Sequence, residues 1–198
     1  SEVFKLNVYD VPDAPTIGAA TADDGQATVS FTSPASDGGS PITGYSVTAT
    51  PGNITATDTT SPIVVTGLTN GTDYTFTVTA SNAALTSAPS AATNSVKPQK
   101  SQTISFTNPG AQLYGTTPTL TATATSGLQV TFTTTTPNVC TISSGGTLSF
   151  TSAGTCTVVA DQAGDADYKA APSVSQSFAV SPVAPAAPIG VTAIAGDE

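Results

Sequence analysis

Apolar and polar residues alternate with a period of two in several stretches of the chain. Residues 26–33, QATVSFTS, place Ala27, Val29 and Phe31 on one face. Residues 45–49, YSVTA, align Tyr45, Val47 and Ala49, and residues 74–80, YTFTVTA, align Tyr74, Phe76, Val78 and Ala80. This period is that of a strand with one buried face. Between these stretches lie SDGGSP (36–41), PGN (51–53) and LTNGT (68–72). Glycine there supplies positive φ, proline a preset φ, and Asn or Asp a side chain that bonds its own backbone. Strands at such intervals, joined by such turns, predict a β-sandwich.

A second series comes after Lys97-Pro98-Gln99-Lys100, which reads as an interdomain linker. Its alternating segments are TISF (103–106), TLTATAT (119–125), QVTFT (129–133), VCTI (139–142), TLSF (147–150), TCTVVA (155–160) and SQSFAV (175–180). That is a set of seven strands. No segment carries a capped 3.6-residue period, so essentially no helix is expected. The predicted fold class is all-β, two tandem antiparallel β-sandwiches. The length of 198 residues suits two domains of about 100 each.

Composition narrows the function classes. Hydrophobic residues make up 38% of the chain, which argues against disorder despite 17 glycines and 15 prolines. Threonine is about a fifth of the chain, and its β-branch favours pleated, half-buried surfaces. There is no histidine and no arginine, and the cations are Lys5, Lys97, Lys100 and Lys169. A Ser-His-Asp triad, a Cys-His dyad and a His-ligated metal are therefore excluded. So is a bidentate arginine clamp for phosphate or carboxylate. A net charge of -9 makes nucleic acid a poor partner, since duplex binding rests on cationic neutralisation of phosphates. No apolar run approaches the roughly 20 residues that cross a bilayer, so no membrane insertion is expected of this segment. The chain opens on Ser1 rather than Met, which suggests a processed product or a fragment of something longer.

An internal repeat links the two ends. LNVYDVPDAPTIG (6–18) and FAVSPVAPAAPIG (178–190) both run from an alternating strand through a proline-rich joint to Ile-Gly. Phe178 and Val180 correspond to Leu6 and Val8. Residues 1–10 are thus read as the last strand of a preceding repeat, and 183–198 as a linker and the first strand of a following one. Residues 11–98 and 99–182 are the two full domains, about one period of a two-domain repeat.

LTNGTDYTFTVTASN (68–82) resembles the signature of fibronectin type III domains, a leucine followed by Gly-Thr, then Tyr, then alternating apolar residues. With PDAP (12–15), VSFTSPASDGGSPITGYSV (29–47) and SPIVVTGL (61–68), residues 11–98 resemble the bacterial form of that module. The resemblance implies a tyrosine corner made by Leu68 and Tyr74, the phenol bonding back to nearby backbone. Phe31 stands where many members carry tryptophan. Residues 101–181 resemble the bacterial immunoglobulin-like repeats of large surface proteins, on QTISF (102–106), YGTTPTLTATATSGLQVTF (114–132) and VCTISSGGTLSFTSAGTCTVVADQAG (139–164). That resemblance implies a mechanical role in large repetitive adhesins.

Three features are candidates for chemistry. Cys140 and Cys156 share strand faces with Ile142 and Val158, so both thiols point to the core side, and an oxidising extracellular setting favours a disulfide. The closed loop of about 15 residues is worth about 3 kcal/mol in the chain-entropy account. The acidic stretch DQAGDADYK (161–169) carries Asp161, Asp165 and Asp167, whose oxygens could serve Ca²⁺. Its spacing is not that of an EF-hand and no bidentate glutamate comes after it, so a solvated turn is preferred and no cofactor is assigned. The outward threonines Thr119, Thr121, Thr123 and Thr125, and Thr131 with Thr133, fall on strands of different sheets, so they make no flat recognition array.

The function read from the sequence is non-enzymatic: a stalk or spacer of a large extracellular or surface-anchored bacterial repeat protein in adhesion. Its partners are neighbouring repeats of the same chain. The alternatives are a ligand-binding module for a glycan or a host surface protein, and an accessory region of a secreted polysaccharide-degrading enzyme. One contact is specified: Asp161, Asp165 or Asp167 is expected to approach Lys97 or Lys100 and bias the angle between domains.

Overall fold

The computed structural model describes residues 9–183. The strands expected within 1–8 and 184–198 lie outside the described residues. All regular structure among the described residues is β, in 14 strands. The chain falls into two compact units. One runs up to Gln102 and takes in Ala163–Ala170; the other comprises Thr103–Gln162 and the chain from Ala171 onward.

The first unit is a sandwich of two three-stranded sheets. One sheet holds β1 (Thr16–Asp23), β2 (Gln26–Thr32) and β5 (Ile63–Thr66), with β2 in the middle. The other holds β3 (Ile42–Thr50), β4 (Ile54–Asp58) and β6 (Thr75–Asn82), with β3 in the middle. All pairings are antiparallel. The alternating residues do what their period requires. Ala27, Val29 and Phe31 from β2, with Ile63 and Val65 from β5, meet Tyr45, Val47, Ala49, Phe76, Val78 and Ala80 in one buried cluster. Each fully buried Val or Phe contributes roughly 1.5–3 kcal/mol by leaving water. Phe31 fills its place by packing on Tyr45, ring centroids 4.8 Å apart and tilted by 52°. β1 carries an irregularity between Ile17 and Ala20. Gly18 sits there, and a Cβ on it would come within 2.6 Å of Ser30 Oγ.

The free side of β6 is covered by residues 87–96 in an unusual way. Ser87, Ser90, Thr93 and Val96 donate their N–H groups to the carbonyls of Ala80, Val78, Phe76 and Tyr74. The covering segment thus advances three residues for every two of β6. Two strand residues span about 6.6 Å, so each triplet must bunch like a repeated bulge. The return bonds come from side chains. Ala80, Val78 and Phe76 donate their N–H groups to Ser87 Oγ, Ser90 Oγ and Thr93 Oγ1 at 2.9, 3.0 and 3.1 Å. Each hydroxyl then donates to the next residue's carbonyl, on Ala88, Ala91 and Asn94. Val96 has no hydroxyl, and there Tyr74 N–H bonds the Val96 carbonyl itself at 2.8 Å. Serine and threonine oxygens therefore stand in for ladder carbonyls at three successive steps.

The second unit also closes its own core. β10 (Thr131–Thr134), β13 (Gly154–Asp161), β14 (Val174–Ser181) and β8 (Gln112–Leu113) form a sheet in that order. β7 (Ile104–Phe106) pairs with β9 (Ala122–Ala124), and β11 (Cys140–Ile142) with β12 (Leu148–Phe150). A bridge between Thr119 and Thr147 brings the start of the β9 segment to β12. Phe106 packs edge-on against Phe132 at 5.4 Å, and Phe150 against Phe178 at 6.5 Å. Leu148, Cys140, Cys156, Val158 and Ala160 are fully buried among them.

Two details differ from the expected set of seven. An eighth strand, β8, pairs parallel with β14 through Val180–Gln112 and Ser181–Leu113. Two residues are too few to show alternation, so only its partner defines it. The strand expected over 119–125 narrows to Ala122–Ala124, because Leu120 N–H turns to the Gly146 carbonyl at 2.8 Å and leaves the β7 ladder.

Candidate functional site

The most highly organised surface of the first unit is the end at which the chain arrives. β6 finishes at Asn82, an inward-facing position that continues the Tyr74, Phe76, Val78, Ala80 series with a polar side chain. Asn82 is buried, and all of its side-chain bonds are to backbone. Its Oδ1 accepts from the N–H groups of Ala84 and Leu85 at 3.0 and 2.8 Å. Its Nδ2 donates to the carbonyls of Asp10 and Asp37 at 3.1 and 2.9 Å. Two donors and two lone pairs are thus all used. Asp10 N–H donates to the Gly38 carbonyl at 2.8 Å, and Asp13 N–H to that of Ser36 at 3.0 Å. Gly38 has φ of 72°, and a Cβ on it would lie 2.1 Å from the Asp10 carbonyl oxygen, so only glycine fits. One amide and one glycine therefore pin residues 9–13 to the loop after β2. Residues 36–39 are legible as a turn from their sequence, but the role of Asn82 is not among the expectations above. The available signal was a polar residue at an inward position of an otherwise apolar series.

At the opposite end of β6, Leu68 and Tyr74 are buried. The Tyr74 phenol oxygen accepts from Thr69 N–H at 3.1 Å, and Leu68 N–H donates to the Gly25 carbonyl at 2.9 Å. The phenol thus bonds to backbone five residues upstream, as a tyrosine corner does. Tyr74→Phe should cost about 1 kcal/mol, one net hydrogen bond. Urea denaturation followed by far-ultraviolet circular dichroism checks it; an unchanged midpoint would mean that the phenol contributes nothing.

The carboxylates of the acidic stretch do not pair with the linker lysines. Asp165 Oδ1 accepts from the N–H groups of Asp167 and Tyr168, both at 2.9 Å, so this carboxylate closes its own turn. Asp161 accepts from the Ser173 hydroxyl. The segment Ala163–Ala170 joins the first unit through backbone: Lys100 N–H donates to the Asp167 carbonyl at 2.7 Å, and Lys169 N–H to that of Lys100 at 2.8 Å. The Gln99 amide adds a bond to the Asp165 carbonyl at 2.8 Å. The lysines go elsewhere. Lys97 pairs with Asp73 at 3.3 Å, and Lys100 Nζ lies 5.9 Å from the centroid of the Tyr168 ring. Lys169 pairs with Asp23 at 3.7 Å. The expected pairing of Lys97 or Lys100 with Asp161, Asp165 or Asp167 is therefore wrong. Asp165 is already occupied by its own turn, and Asp73 is nearer to Lys97 in the same unit. Both ion pairs are largely exposed and worth about 0–1 kcal/mol. Among the described residues no group of three Cys, Asp or Glu side chains is placed to hold a metal.

Cys140 on β11 and Cys156 on β13 form a disulfide, Cα atoms 5.7 Å apart. It ties the β11–β12 pair to the four-stranded sheet through the middle of the core. Thr123 lies on β9 with Thr121 just before it, and Thr131 and Thr133 lie on β10, a strand of a different sheet; all four are exposed. Two surface hollows hold about 420 and 310 Å³. The first is lined by threonine, alanine, glycine and core residues of the second unit, the second by Thr43, Tyr45, Ser46 and one carboxylate, Asp58.

A fold of this kind, with these side chains, defines a β-sandwich module. The family model for the fibronectin type III domain matches residues 13–96, and that stretch is a fibronectin type III domain. Such domains are typically non-catalytic and serve as spacers or binding modules in extracellular proteins. Among solved structures, the chain is similar to domains A168–A170 of titin, at 30% identity over 48% of this chain and 35% of that one, TM-score 0.44. It is similar to the twitchin kinase region of C. elegans, at 26% identity over 44% of this chain and 17% of that one, TM-score 0.41. The FN1–FN3 domains of chicken CNTN1 align at 12% identity over 86% of this chain and 67% of that one, TM-score 0.41. The chain spans only about a third of the titin segment and about a sixth of the twitchin one. No curated protein matches the chain. No helix among the described residues is long and apolar enough to cross a membrane.

Proposed function

We propose that this chain is a load-bearing spacer of a large extracellular bacterial repeat protein that takes part in adhesion. In this reading, residues 11–98 are a fibronectin type III module and 99–182 a bacterial immunoglobulin-like module. The carrying observation is that the two buried clusters share no residue. A unit that buries its own core can hold while its neighbour opens, which is what a chain under tension requires. The disulfide and the scarcity of charge suit exposure outside the cell. The partners are the neighbouring repeats of the same chain, and no cofactor is assigned.

Single-molecule stretching of the full chain tests this. Two separate unfolding events are expected, one for each unit. A chain that lengthens steadily with no discrete event cannot carry load, and that result would sink the spacer reading. Tight binding of this segment to a glycan array would instead favour a recognition module.

A further inference from the structure

Seven large hydrophobic side chains stand exposed among the described residues, and six of them gather at two places. Tyr9, Val11 and Leu85 lie where the chain enters the first unit. Asn82 holds them together, since its amide bonds the backbone of both Asp10 and Leu85. Leu113, Tyr114 and Val183 lie where the chain leaves the second unit. There Leu113 pairs with Ser181 across the parallel β8–β14 ladder, and Tyr114 N–H donates to the Ser181 carbonyl at 2.8 Å. Scattered single exposures need no explanation, but two clusters at the two chain exits do.

The repeated ends of the chain relate these two exits to one another. LNVYDVPDAPTIG (6–18) and FAVSPVAPAAPIG (178–190) correspond without a gap from Leu6 and Phe178 to Val11 and Val183, and the prolines beyond match with small gaps. Chain leaving the second unit therefore has the sequence of chain entering a first unit. We propose that the Leu113–Tyr114 surface packs against the Leu85 end of the next copy of this repeat, with Val183 in the position of Val11 at the centre of the contact. The proposal rests on the repeat-protein reading above and names the surfaces of its joint. The occupant is a second copy joined in line. The joint unites four large apolar side chains, Leu113, Tyr114, Leu85 of the next copy and the shared Val183, with Ser181 in the place of Tyr9, far short of the roughly 1,200 Å² that a stable free complex buries. The contact forms only where the covalent link supplies a high effective concentration. Asn82 gives it direction, because its Nδ2 can donate to the carbonyl of Pro182, which falls in the place of Asp10; the Asp10 N–H bond to Gly38 has no counterpart there, since proline has no N–H.

The test compares the full chain with a double chain in which residues 1–183 run directly into residues 12–198 of a second copy. Hydroxyl-radical labelling read by mass spectrometry reports side-chain exposure. In the double chain one copy of each patch is covered, so labelling of Leu85, Leu113 and Tyr114 per copy should fall to roughly half of its single-chain value. Leu85→Ser in both copies should return Leu113 and Tyr114 to single-chain labelling. Val64, exposed on β5 and at neither exit, should label equally throughout. Leu85 is exposed, so this variant should fold, and circular dichroism checks that it does. Equal labelling in single and double chains overturns the joint. Dimers of the single chain in sedimentation also overturn it, since the patches would then serve separate molecules. If the units unfold as discrete events but labelling is unchanged, only the joint is lost. If the discrete events are missing, the spacer reading itself is lost.

Discussion

Reduction of Cys140–Cys156 should lower the stability of the second unit by about 3 kcal/mol and leave the first unit unchanged. The bond closes a loop with a sequence separation of 16, and an unfolded chain without it regains that closure entropy. Both sulfurs belong to fully buried residues of one core, so the bond also holds β11 and β12 to β13. Hydrogen exchange with and without reductant separates the units. Amides of β10, β13 and β14 should exchange faster after reduction, and those of β2, β3 and β6 should not. Stretching gives a second readout. An intact bond hides its loop from the unfolded length, so reduction should add about 5 nm to the second unit's extension, at roughly 3.3–3.6 Å per residue. Unchanged exchange and unchanged extension would show that the bond neither stabilises the unit nor shortens its path.

Ser87→Ala, Ser90→Ala and Thr93→Ala made together should destabilise the first unit by about 3–5 kcal/mol. Each removes the acceptor of a β6 N–H, on Ala80, Val78 or Phe76. A buried donor without a partner costs about 1–3 kcal/mol. Ser87 and Thr93 are buried and Ser90 is half-buried, so water can repair the middle step in part. Urea denaturation with tyrosine fluorescence measures the effect, because Tyr45 and Tyr74 are buried in this unit. Single replacements should rank Ser90 lowest. A triple variant as stable as the parent would mean that the covering segment rebuilds an ordinary ladder with its own carbonyls.

Much of the fold is written locally. A period of two needs only the residues of one strand, and the faces of Ala27–Phe31, Tyr45–Ala49 and Tyr74–Ala80 lie in the core as their spacing implies. The same holds for Cys140 and Cys156, whose apolar neighbours two positions on mark the face they share. Turn chemistry likewise marks the strand boundaries at 36–41, 51–53 and 68–72. The covering segment 87–96 was not legible, because its residues advance by threes and show neither strand nor helix period. Its conformation is set by β6, whose N–H groups it must satisfy.

The all-β class and the inward faces each depend on residues close along the chain, so the amino-acid order suffices for them; the tyrosine corner at Leu68 and Tyr74 was implied by the resemblance to fibronectin type III domains. Which polar groups meet depends on the folded chain. Asn82 reaches Asp10 across 72 residues and Asp37 across 45. The charged residues show the same division. The loop 161–169 was expected beside the linker lysines, and Lys100 does bond Asp167 and Lys169 through backbone, yet Asp165 was already taken by its own turn and Lys97 by Asp73. The physical reason is range. Alternation and turn preference act over a few bonds, whereas a hydrogen bond or ion pair is selected by which partner the fold brings within about 3–4 Å.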